Sequence, residues 1–172
     1  MYIIETDRLG LRELTLADLD PLYAIFADPE MMRFYPQPFT RERTASWIAW
    51  AMRCYTERGH GLWAVERKAD GLLLGDCGIV TQQIEGHELL EIGYHIRRDQ
   101  WGKCYATEAA LACKRYGFDQ LGAQQICSIV DSLNSASRVV AARVHSAMRE
   151  FIWHKNNQLM CLYYTETAKP GD

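Results

Sequence analysis

The 172-residue chain has no proline between Pro38 and Pro170, no Gly/Ser-rich stretch and no internal repeat. Nothing in it marks a linker, and one continuous domain over residues 1–172 is expected. It has no long apolar run. The longest stretch free of Asp, Glu, Lys and Arg is Gln120 to Val130, eleven residues, against about 20 for a membrane helix. It has little net charge: 19 basic and 22 acidic residues give −3, which excludes electrostatic attraction to nucleic acid or an anionic membrane as an expectation. The first twenty residues carry Glu5, Asp7, Arg8, Arg12, Glu13, Asp18 and Asp20, leaving no apolar core for a secretory signal. The six cysteines include no C-x-x-C pair, and His60, His87, His95, His145 and His154 keep no zinc-ligand spacing. Reduced thiols in a metal-free cytoplasmic protein are expected. Neither a G-x-x-x-x-G-K-[ST] loop nor a G-x-S-x-G elbow occurs.

What is present is a globular composition, 48% hydrophobic and 24% charged, in a chain long enough to bury roughly 70% of its unfolded surface. Glu5 to Leu14 alternates weakly, as an edge strand does, and Thr15 starts a helix that stops near Asp28-Pro29. Phe34 to Phe39 is a loop of aromatics and prolines. A second helix runs from about Thr40 to Glu57 and closes at Gly59. Leu62–Arg67, Leu72–Gln83 and Glu88–Ile96 read as strands of an antiparallel meander, turning at Asp70-Gly71 and Glu85-Gly86. A helix from Tyr105 to about Leu121 follows. Ile126 to Val130 has the continuous apolar character of a strand buried on both faces. Asn134 caps a helix running to about Ala147, and Phe151–His154 with Leu159–Glu166 form a last antiparallel pair. The string β-α-α-β-β-β-α-β-α-β-β is a mixed sheet with helices on its faces, an α/β fold.

The chemistry concentrates in Glu91 to Ala110, EIGYHIRRDQWGKCYATEAA. A strand, a polar loop with Gly102 and Lys103, and a helix start follow one another, so free N–H groups and the helix dipole converge on a place for an anion. The stretch resembles the acyl-CoA pyrophosphate loop of the GNAT superfamily of N-acetyltransferases, specifically the RimJ/RimL-like branch, in which W-G-K-G-Y-A-T-E-A is typical. Three further blocks agree in order: ETDRLGLREL from Glu5 to Leu14, LLGDCGI from Leu73 to Ile79, and N-x-x-S from Asn134 to Ser137.

The resemblance implies a GNAT-like, partly splayed mixed sheet and acetyl-CoA as co-substrate. It implies that Ile96 and Arg97 offer backbone amides to the pantetheine arm and thioester. Gly102, Lys103, Cys104, Tyr105, Ala106 and Thr107 would wrap the pyrophosphate, and Asn134 and Ser137 would reach the cofactor from the following helix. Two departures stand out. Cys104 replaces the central glycine of the loop, where close approach or positive φ favours glycine. The stretch Ala142-Arg143-Val144-His145-Ser146 replaces the family's E-K-x-G-F turn. A tyrosine that many members use as the acid falls at Ala141.

For the base, Glu91 and His95 share one face of their strand by two-residue spacing, with Gly93 between them; Asp131 is a third candidate, through water. Trp47 and Trp50 read as core packing, while the Phe34–Phe39 loop borders the acceptor site in this family. The expected function is acetyl transfer to a primary amine, a protein N-terminus or a small-molecule amine, by direct attack in a ternary complex. A non-catalytic or vestigial CoA-binding module of the same fold is the alternative that Cys104 and the altered turn motivate. The chain would act as a monomer or homodimer.

Overall fold

The computed structural model describes residues 1–153 and 156–167. Its elements are β1 (Ile4–Glu5), β2 (Leu9–Arg12), α1 (Leu19–Phe26), α2 (Arg41–Arg58), β3 (Leu62–Arg67), β4 (Leu72–Ile84), β5 (His87–Ile96), α3 (Tyr105–Asp119), β6 (Gln125–Asp131), α4 (Ser135–Val144), β7 (Ala147–Trp153) and β8 (Gln158–Glu166). The eight strands form one mixed sheet in the order β1-β2-β3-β4-β5-β6-β8-β7. Among the described residues no helix is long and apolar enough to cross a membrane.

Local chemistry sets most boundaries. The Thr40 side chain accepts from Arg43 N at the start of α2, and Gly59, at φ 74°, closes it in the left-handed conformation that glycine adopts without strain. Glu85 and Gly86, at φ 50° and 84°, make the turn that fixes β4 against β5 from Ile84↔His87 out to Gly75↔Ile96. The N-terminal strand is in fact a small hairpin, β1 and β2, because the Thr6 hydroxyl accepts from Leu9 N and turns the chain.

One face of the sheet carries α3, where Ile79, Ile92 and Ile126 pack with Ala109, Ala110 and Cys113. The other carries α1 and α2, with Leu22, Phe26, Ile48 and Ala51 over Ala64 and Leu73. Burying these stripes against the sheet is the main stabilising term.

Two irregularities shape the centre. The β3–β4 register slips between Val65 and Glu66, so Leu74 is an extra residue in β4. This bulge bends the strand and re-aims the residues that come after Leu74. At Gly75, φ 146°, a Cβ would lie 1.9 Å from the His95 carbonyl oxygen, so β4 and β5 come this close only through glycine. Second, the parallel pairing of β5 with β6 covers only Leu90↔Ile126 and Glu91↔Cys127. Beyond Glu91 the two strands part, as the family resemblance implied.

The altered turn after α4 is resolved without glycine. The helix ends at Val144, not near Ala147, and His145 leaves it extended at φ −109°, ψ 161°. Ser146 N then donates to Tyr164 O and starts the β7–β8 ladder, so β7 begins at Ala147, four residues before the expected Phe151. His154, its expected end, lies outside the described residues.

Candidate active site

The gap between β5 and β6 has a defined edge. Arg97 N donates to Leu74 O at 2.8 Å, so alternation along the antiparallel ladder turns the Ile96 N–H the other way, into the gap. Of the two amides expected to meet a thioester, Ile96 is therefore available. Arg97 is not, because its N–H belongs to the sheet, and its side chain pairs with Asp99 at 2.6 Å. Where β6 would have continued the ladder, Ser128 Oγ donates to Ile92 O at 2.9 Å. His145 Nε2 lies 3.0 Å behind that hydroxyl, and Thr165 Oγ1 is 3.4 Å from Nδ1. Burial, aided by the charge of Lys114, lowers the pKa of His145 to about 4, so the ring is neutral near pH 7. Tyr94 spans the same gap and donates to Ser137 O at 2.9 Å.

The loop leading to α3 is exposed from Trp101 to Cys104. Gly102 is at φ 78° and Cys104 at φ 63°, both left-handed. The conformation the family glycine permits is thus retained with a cysteine in place, and Cys104 is the residue that opens α3. The neighbours fix the loop from outside. Arg8 donates to Lys103 O at 3.1 Å and pairs with Glu108 at 2.5 Å, and its guanidinium lies over the Tyr105 ring. Lys103 Nζ donates to Gln100 Oε1, and Arg143 approaches Cys104 Sγ at 3.9 Å. The first-turn amides of Tyr105, Ala106 and Thr107 have no intrahelical carbonyl to reach. Asn134 serves as the N-cap of α4, its Oδ1 accepting from Ser137 N at 3.1 Å, which leaves only its amide NH2 to turn toward a ligand.

On the opposite face of β5 stands a partly buried polar chain anchored on Asp76. His95 Nδ1 is 2.6 Å from Asp76 Oδ1, and Nε2 is 2.6 Å from the Tyr35 hydroxyl. Trp47 Nε1 donates to Asp76 Oδ2 at 2.7 Å. Asp76 is 0% exposed, and its carboxyl oxygens each receive an N–H, the arrangement a buried acid requires. The imidazole is enclosed by Phe26, Tyr35 and Trp47, with ring centroids at 5.3, 5.7 and 5.9 Å. Burial, then the charges of Asp76 and Glu91, push the Tyr35 hydroxyl well above its usual range, so it stays protonated.

Glu91 sits at the last paired position before the gap opens, and its charge is felt at Tyr35. Above Gly93, between Glu91 and His95, Leu62 Cδ2 would lie 3.4 Å from an added Cβ, with nothing else within 4 Å. Asp131 is occupied as a turn cap, accepting from Leu133 N at 2.8 Å and from Gln158 Nε2.

An opened parallel pair with one free amide lies beside a helix start that presents its N–H groups. The comparisons bear on family and fold. The model of the acetyltransferase (GNAT) domain matches residues 8–146. The chain belongs to the GNAT acetyltransferase family. It is 40% identical over 142 residues to the uncharacterized protein YkkB of Bacillus subtilis, covering 81% of each chain. It is 33% identical over 137 residues to the uncharacterized N-acetyltransferase YoaA of the same organism, covering 78% of this chain and 77% of that one. Among solved structures, an acetyltransferase from Agrobacterium tumefaciens superposes with TM-score 0.82 at 23% identity, over 95% of this chain and 94% of the other. GNAT enzymes take acetyl-CoA as co-substrate, and this chain is an acetyltransferase of that family.

Three members of this polar chain were not singled out as catalytic by sequence. Tyr35 lay within a loop expected to border the acceptor, and Trp47 read as packing. Asp76 was legible in principle. Counting outward from the Glu85-Gly86 turn places it directly across from His95, as the register has it.

Proposed function

We propose that residues 1–172 act as a single N-acetyltransferase domain of the RimJ/RimL-like branch, transferring acetyl from acetyl-CoA to a primary amine by direct attack in a ternary complex. The observation that carries this reading is the parting of β5 from β6 after Glu91, with the Ile96 N–H turned into the opening. Bound there, the co-substrate supplies an acyl group already activated as a thioester. The Ile96 amide lies where it can polarise the carbonyl oxygen, the preorganised kind of stabilisation that gives acyl transfer most of its rate. Gly102 to Thr107 hold the pyrophosphate with main-chain N–H groups and the helix dipole, and Asn134 and Ser137 border the arm from α4. Glu91 and His95 face the acceptor side and manage its charge and proton.

The two departures that favoured a non-catalytic module leave this frame standing. Cys104 occupies the left-handed position without disturbing α3, and His145 builds the exit of α4 by an extended route. The branch assignment draws on the Trp101-to-Ala109 motif. Calorimetric titration with acetyl-CoA, followed by mass spectrometry of peptides beginning in Ala, Ser or Thr and of small amines and polyamines after incubation, tests the reading. Saturable binding with one acetyl group gained on an amino nitrogen is expected. Failure to bind acetyl-CoA would overturn it, and acetylation confined to polyamines would overturn the branch assignment.

A further inference from the structure

We propose that Tyr35, His95 and Asp76 form a proton relay in which Tyr35 touches the acceptor nitrogen, His95 stores the proton, and Asp76 holds His95 in the tautomer that accepts it. The proposal rests on the acetyl-transfer reading above and names the groups that move its proton. Four observations carry it. His95 Nδ1 meets a fully buried carboxyl at 2.6 Å, so the ring hydrogen sits on Nδ1. Nε2 is then an acceptor, and the Tyr35 hydroxyl donates to it at 2.6 Å. The second oxygen of Asp76 is held by an indole N–H, a donor with no other role, so the carboxyl cannot rotate. The bulge at Leu74 and the close approach at Gly75 set Asp76 opposite His95. A core with no use for this chain would fill the same space with apolar side chains at no desolvation cost.

An acceptor amine arrives mostly as an ammonium ion, because ordinary amines have pKa values of about 8–10. Tyr35 Oη takes one proton from that nitrogen while passing its own to His95 Nε2, leaving a neutral amine and an imidazolium bonded to Asp76. The nitrogen attacks the thioester carbonyl carbon, the C–N bond forms, and the C–S bond breaks with its electron pair going to sulfur. The second proton shed by the nitrogen protonates that thiolate. His95 then returns its proton to solvent through Tyr35. Glu91, on the same face of β5 at the mouth of the gap, holds the ammonium before it is deprotonated.

The geometry makes an unusually specific test. In Asp76→Asn only one side-chain oxygen remains, and Trp47 N–H demands it. The amide NH2 must then face His95 Nδ1, which forces the ring hydrogen onto Nε2 and blocks acceptance from Tyr35. We expect kcat to fall by about 10²–10⁴-fold, as loss of the correct histidine tautomer does elsewhere, with acetyl-CoA affinity unchanged by calorimetry. Adding Trp47→Phe frees the amide to flip, so Trp47→Phe/Asp76→Asn should regain about tenfold, although it carries one more lesion. Imidazole nitrogen NMR on the unliganded protein should show His95 as the Nδ1–H tautomer in the native chain, Nε2–H in Asp76→Asn, and Nδ1–H again in the double variant. A native Nε2–H tautomer, an Asp76→Asn enzyme with native kcat, or a double variant slower than the single one would each overturn the relay. The NMR result needs no acceptor, so the two failures are distinguishable: an Nε2–H tautomer in the native chain overturns the relay alone, whereas an Nδ1–H tautomer with no amine acetylated overturns the acetyl-transfer reading and the relay with it.

Discussion

His145 gives a stability prediction that can be worked from the structure. Its pKa falls from 6.5 to about 4, chiefly through burial. The folded state therefore resists a proton that the unfolded chain accepts. Above pH 6.5 both states are neutral and nothing is lost. As pH falls from 6.5 toward 4, the unfolded chain is stabilised by protonation and the folded one is not. At ~1.4 kcal/mol per pH unit the whole window amounts to about 3 kcal/mol, of which about 2 kcal/mol is lost between pH 7 and pH 5. The carboxyl groups whose pKa values are lowered, such as Asp18 and Glu108, act mainly below that interval and are common to any variant at position 145. The perturbation is His145→Gln, which keeps an N–H donor for Ser128 and removes the titration. Urea unfolding at pH 7 and pH 5 should show the native protein losing about 2 kcal/mol more than the variant. A difference below about 0.5 kcal/mol would refute the assigned burial of the ring.

Cys104→Gly should raise stability by up to about 1 kcal/mol, since ~1–2 kcal/mol of left-handed strain is relieved against ~0.5–1 kcal/mol of added chain entropy. Tm should rise by up to about 2–4 °C, and a fall would contradict the backbone geometry. Cys104 is exposed while Cys77, Cys113, Cys127 and Cys161 are buried, so timed alkylation should label it first, and CoA should protect it. Labelling unaffected by saturating CoA would displace the phosphate loop from Gly102–Thr107. Glu91→Gln should raise the acceptor KM by about tenfold through loss of ammonium attraction and change kcat only a few-fold. A kcat loss of ~10²-fold or more would transfer the base role to Glu91.

The elements were legible because their signals are local. Thr40 and Gly59 bracket α2, Glu85-Gly86 sets the β4–β5 hairpin, and the apolar run at Ile126 marks β6. The site was legible where it is one contiguous stretch, from Glu91 to Ala110. What sequence did not reveal depends on contacts between distant segments. The commitment of the Arg97 amide to Leu74 follows from the β4–β5 register, and the end of α4 at Val144 follows from His145 reaching Ser128 on β6. Tyr35 reaches His95 across sixty positions from a loop with no periodicity to read. Trp47 looked like packing because its aromatic body does pack against Phe26 and Phe39, and only its N–H reveals the second duty.

Acetyl transfer through the gap between β5 and β6 is tested most directly by following CoA thiol release from acetyl-CoA, with and without an amine acceptor. Release that requires the amine, saturates with it and matches acetyl-amine formed mole for mole is the predicted result. Thiol release at one rate whether or not any of the peptides, small amines or polyamines is present would contradict it.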